Sequence, residues 1–75
     1  MLFDLTSAAA ASGTVPDPPG VVTLEGPAGA RGAVTVTRGG DVAAVHTFKV
    51  VESPRALPAD WFEAGDTVDV VRWVE

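Results

Sequence analysis

The clearest pattern in the chain is a strict alternation over Ala33-Val34-Thr35-Val36-Thr37, with valines on one face and threonines on the other. Alternation with period two predicts a half-buried β-strand. Arg38-Gly39-Gly40-Asp41 follows, and its Gly-Gly pair supplies the positive φ values that a primed two-residue hairpin turn demands. On the return strand, Val42 to Val51, the same alternation places Val42, Ala44, His46, Phe48 and Val50 on one face. Thr47 and Lys49 fall on the other. The pattern therefore predicts a hairpin, with His46 turned inward.

The segments around this hairpin are shorter. Val21-Val22-Thr23-Leu24-Glu25 is β-branched and bounded by Gly20 and Gly26, which predicts a further strand. Gly26, Gly29 and Gly32 repeat every third residue, but so few triplets cannot sustain a collagen helix, and the segment is read as a loop. Pro54 and Pro58 break the chain after the hairpin. Pro58 to Glu63, with Gly65 behind, predicts one helical turn. Trp61 and Phe62 are neighbours and so project differently, one to plug the end of a barrel and the other to face a neighbouring subunit. The last strand is expected over Thr67 to Val74. There Val68 and Val70 share one face, and Val71 and Trp73 share the other. That change of parity predicts a β-bulge near Val70-Val71 or a strand buried on both sides.

The N-terminal pattern is different. Leu2, Phe3 and Leu5 make a small apolar cluster, and Ala8 to Ala11 extends one or two helical turns before Gly13. Val15-Pro16-Asp17-Pro18-Pro19-Gly20 excludes regular structure and favours an extended linker. The expected organisation is an N-terminal arm and Pro-rich linker over 1–20, followed by a small β domain over 21–75. The fold class is mostly β: a small barrel or sandwich of the SH3-like or OB-like kind, with four or five short strands and one helical turn.

Composition sharpens this picture. The chain has 75 residues and no cysteine, so disulfides, thiolate metal sites and thiol nucleophiles are excluded. With His46 as the single histidine, a structural zinc site has too few ligands. The apolar share is 47% against 20% charged, more apolar surface than so small a domain can hide inside itself. The surplus is expected in an interface. The net charge is −5, and the five cations are spread along the sequence, which disfavours nucleic-acid binding. No apolar run is long enough for a signal peptide or a membrane span. Ile, Asn, Gln and Tyr are absent and Lys49 is the sole lysine, a usage typical of a high-GC genome.

Few residues can carry chemistry. His46 is the one base that titrates near neutral pH, but it falls on an apolar face, and Asp41 and Ser53 nearby form no recognisable triad or nucleophile elbow. Glu63, Asp66 and Asp69 lack the spacing of a calcium loop, and Asp66 and Asp69 lie on opposite faces of a strand, so solvated strand ends are expected there. The glycines match neither phosphate-loop nor dinucleotide patterns. No catalytic, cofactor or metal residue is assigned.

The expected function is therefore non-enzymatic: a structural or assembly protein that binds other protein subunits. No small-molecule substrate, nucleic acid or membrane is expected as a partner. The most specific version is a minor phage virion component, decorating a capsid or sitting at a head–tail joint, with the arm clasping its neighbours. The alternative is a free-standing adaptor or regulatory module, cytoplasmic in location. Leu2, Phe3, Leu5, Trp61, Phe62 and Trp73 are the expected interface residues, because large aromatic and apolar groups dominate such contacts.

Overall fold

The computed structural model describes residues 1–73. Seven strands and one 3-10 turn make two sheets: β1 (Leu2–Asp4), β2 (Ala10–Thr14), β3 (Thr23–Glu25), β4 (Arg31–Arg38), β5 (Asp41–Lys49), β6 (Arg55–Ala56), the turn Ala59–Trp61, and β7 (Thr67–Trp73). The smaller sheet has the order β1-β3-β6 and the larger β2-β7-β4-β5. The fold is mostly β, as expected. It is a small sandwich-like pair of sheets with no closed barrel, and it has more strands than the four or five the patterns predict.

The β4–β5 hairpin forms as its alternation predicts. Gly39 and Gly40 have φ of 62° and 87°, the left-handed values of a primed turn. Val34 and Val36 are fully buried, while Thr35 and Thr37 face outward. The register slips between Val36, which opposes Ala44, and Thr37, which opposes Val42, so Ala43 is an extra residue in the ladder. That bulge turns Val42 out to solvent, away from the inward face on which simple alternation puts it. On β7 the reverse holds. Its pairing is regular with β2 from Thr67 to Val71 and with β4 from Thr67 to Trp73, with Val68 and Val70 buried inside and Val71 and Trp73 exposed outside. The bulge expected near Val70-Val71 is absent, and the strand is buried on one face only.

The larger correction concerns residues 1–20. Ala8 to Ala11 is not helical: a run this short cannot nucleate a helix on its own, and β2 instead pairs antiparallel along the edge of β7. β1 runs parallel to β3. The backbone N–H of Thr23 donates to Met1 O at 2.9 Å, that of Leu5 donates to Glu25 O at 2.8 Å, and that of Val15 donates to Asp66 O at 2.8 Å. Phe3, Leu5 and Val15 belong to the core. The extended segment from Val15 to Val22 carries the chain from the larger sheet to the smaller one and has no strand of its own, in keeping with its prolines. What reads as an arm is the part of the fold that completes both sheets.

One apolar core lies between the sheets. Phe3, Leu5, Val22, Leu24 and Leu57 come from the smaller sheet and its flanks, and Val34, Val36, Phe48, Val68 and Val70 from the larger. Gly32 allows the close fit at one end: a Cβ there would fall on the Phe48 ring and the Val71 carbonyl. Its lack of a side chain lets β4 begin at Arg31, earlier than the loop reading of residues 26–32 implies. Pro58 leads into the predicted helical turn, here 3-10, which places Phe62 in the core.

Candidate functional site

The polar groups that invite a chemical reading are engaged structurally. Asp66, expected at a solvated strand end, is 1% exposed. Its carboxylate accepts two parallel bonds from Arg38, Nε to Oδ1 and Nη2 to Oδ2, both 2.9 Å. It also accepts from the Glu63 backbone N–H at 2.8 Å. These bonds, the Arg38 pair first, hold its pKa below the usual carboxylate value. The Glu63 carboxylate lies 3.2 Å from Arg38 Nε. Asp66 thereby ties the end of β4 to the start of β7. Its position just behind Gly65, after a helical turn, carries no signal that separates it from an ordinary solvated aspartate.

His46 stands on the inward side of β5 opposite Val34, as alternation requires. It is half-buried, and its ring stacks parallel on Trp61 with centroids 3.9 Å apart. Trp61 meets Phe62 edge-on at 6.2 Å. The indole thus covers the imidazole face, and Phe62 reaches the core behind it. The sequence reading of two adjacent aromatics with different destinations holds in this sense, but their contacts are intramolecular.

The six expected interface residues divide accordingly. Phe3, Leu5 and Phe62 lie in the core and are not surface groups. Trp61 is partly buried against the core. Leu2 and Trp73 remain exposed, at 55% and 47%.

Trp73 belongs to a surface that the sequence reading missed, the outer face of the larger sheet. Strand register lays it out in rows: Ser12, Asp69, Thr35 and Val45 in one, and Ala10, Val71, Ala33 and Thr47 in the next. Trp73, Arg31 and Lys49 form the end row. All four outward residues of β7, Thr67, Asp69, Val71 and Trp73, are exposed, so nothing within the described chain covers this face. In its two middle rows Asp69 is the sole charge; the rest are small, hydroxylated or β-branched. At the end row the face dips into an open groove of about 520 Å³ lined by Arg31, Gly32, Thr47, Phe48, Lys49 and Trp73. The available signal was the apolar parity of Val71 and Trp73, which marks the outer side of β7 as a second apolar surface. No helix among the described residues is long and apolar enough to cross a membrane.

Comparison with protein-family models, with curated proteins and with solved structures returns no match to this chain.

Proposed function

We propose that this chain is a non-enzymatic, protein-binding assembly module that docks through the outer face of its four-stranded sheet. The observation that carries the reading is the combination on that face of Val45 at 60% exposure with the half-exposed Val71 and Trp73, where the two middle rows hold one charge, Asp69. A sheet face whose middle rows carry one charge and that leaves valines and a tryptophan in water is stabilised when a partner covers it, and tryptophan is the residue type most enriched at interface hot spots. The reading as a non-enzyme is supported by the state of the two groups best suited to chemistry. His46 is stacked under Trp61, and Asp66 is held by Arg38. The face takes over the docking role that the sequence suggested for the N-terminal residues, of which Phe3 and Leu5 lie in the core.

Within this role the setting favoured by composition is a minor virion component of a phage with a high-GC genome. Density-gradient sedimentation of native lysate, with peptides of this chain followed by mass spectrometry, tests it. Recovery with large particles at the stoichiometry of a shell or ring protein supports the virion setting. Recovery confined to slowly sedimenting fractions overturns it and leaves an adaptor. Val71→Lys, placed in the middle of the face, should remove the chain from whatever it co-sediments with; full retention of this variant would sink the docking face itself.

A further inference from the structure

We infer that the chain self-associates through the open edge of β5, where Val45 and Thr47 pair antiparallel with Thr47 and Val45 of a second copy about a two-fold axis at His46. The inference goes beyond the docking-face reading and does not rest on it, because the strand edge and the sheet face are different surfaces.

β5 is the last strand of the larger sheet, so one side of its backbone has no strand partner among the described residues. The ladder fixes which groups point there. The Val50 N–H donates to Ala30 O at 2.8 Å, and residues bonded in this way alternate along an antiparallel pair. Ala44, His46 and Phe48 therefore turn their backbone groups to β4, while Val45, Thr47 and Lys49 turn theirs to the open edge. Both ends of that edge are blocked. Arg55 Nη1 donates to Lys49 O at 3.3 Å, and the extra residue Ala43 bends the strand at the other end. Two rungs stay open, at Val45 and Thr47. An uncovered edge is a template for a further strand, and the blocked ends limit the occupant to a short stretch.

A second copy of the same edge fits by its own pattern. The two rungs flanking His46 match themselves when run antiparallel, Val45 with Thr47 and Thr47 with Val45. This alignment sets Ala44 opposite Phe48 of the other copy on the inward side, a small residue beside a large one. It also sets Lys49 opposite Ala43, about 7 Å along the strand from Asp41 and within reach of a lysine side chain. Asp41 and Lys49 are exposed, and neither has an ion-pair partner among the described residues. A strand that starts on an acid and ends on a lysine is complementary to itself only when antiparallel, and the opposite charges then meet twice. Moving the axis to Val45 would draw the Ala43 bulge into the paired stretch, and moving it to Thr47 would double the distance from Lys49 to Asp41. A pairing this short buries less than a standard interface, so the dimer is weak and depends on concentration.

The test is sedimentation velocity of the ¹⁵N-labelled full chain over a concentration series into the millimolar range, with NMR amide shifts followed in the same samples. A monomer–dimer equilibrium should appear. The Val45 and Thr47 amides should shift with concentration, while those of the fully buried Val34 and Val36 stay in place. Lys49→Asp sets acid against acid at both ends of the pairing and should weaken the dimer at least about fivefold; adding Asp41→Lys should restore it. Thr47→Pro removes an N–H that points away from β4, so it should leave a folded chain that stays monomeric. A parent chain that is monomeric throughout, or a Lys49→Asp variant that dimerises as well as the parent, overturns the inference. Val71→Lys, two strands from this edge, should dimerise like the parent. Loss of the dimer in Val71→Lys with none in Lys49→Asp assigns self-association to the outer face and removes the edge pairing. Full co-sedimentation of Val71→Lys removes the docking face and leaves the edge pairing standing on its own charge-reversal result.

Discussion

At the scale of single residues, two positions constrain this fold more than their residue types suggest. Gly32 lies inside a strand, where glycine ordinarily weakens the structure. Here the Phe48 ring and the Val71 carbonyl occupy the space a side chain would take. Gly32→Ala should therefore cost about 1–3 kcal/mol in a urea titration, the usual penalty for overpacking. An unchanged midpoint would show that the Phe48 ring can move aside. Asp66 is the second such position. Its bonds from Arg38 and Glu63 hold its pKa below the usual carboxylate value, so the folded state favours the ionised form. The resulting stabilisation is complete above the ordinary aspartate pKa of 3.8 and fades as pH falls through the depressed folded value. Asp66→Asn should be less stable than the parent at neutral pH, and the gap should close on acidification below about pH 4. Parallel stability curves down to pH 2 would show that the carboxylate charge contributes nothing through this pair.

At the scale of elements, the strands legible in the sequence were those with a clean local period. The β4–β5 hairpin, with its Gly39-Gly40 turn, was readable because alternation and turn chemistry agree. β1 and β2 were not. Leu2–Asp4 is three residues long, and Ala10–Thr14 is made of small residues with no apolar alternation. What makes them strands is pairing with β3 and β7, contacts 21 and more residues away that no local pattern records. The proline-rich segment after Val15 looked like a boundary because prolines exclude regular structure, but a core-crossing connection has the same composition as a linker. The consequence is measurable. Deleting residues 1–14 removes two strands together with Phe3 and Leu5, and the remainder should show no cooperative unfolding transition. Since such a truncation removes many contacts at once, the sharper variant is Leu5→Ala, which opens a cavity at a fully buried site and should cost about 2–5 kcal/mol. A loss under about 0.5 kcal/mol, the level of an ordinary surface substitution, would restore the free-arm reading.

At the scale of the whole molecule, the apolar surplus inferred from composition has a location. Of the large apolar side chains left exposed, Val45, Val71 and Trp73 stand on the outer face of one sheet, joined there by Val42 through the bulge at Ala43. Composition could indicate that such a surface exists but not where, because its position depends on which side of β7 faces the smaller sheet. The parity change at Val70-Val71 held that information, but in the sequence it reads equally as a β-bulge or as a strand buried on both faces. A surface kept for a partner differs from one that holds the fold together in a way that can be measured. Charge placed on it should weaken association without weakening the monomer. The double variant Val45→Lys, Val71→Lys puts two cations on separate strands of this face while leaving the core untouched. Its unfolding free energy should stay within about 0.5 kcal/mol of the parent, the range of ordinary surface substitutions. A loss of several times that amount would mean that these valines pack within the chain's own fold, and the outer sheet could then no longer serve as a free docking face.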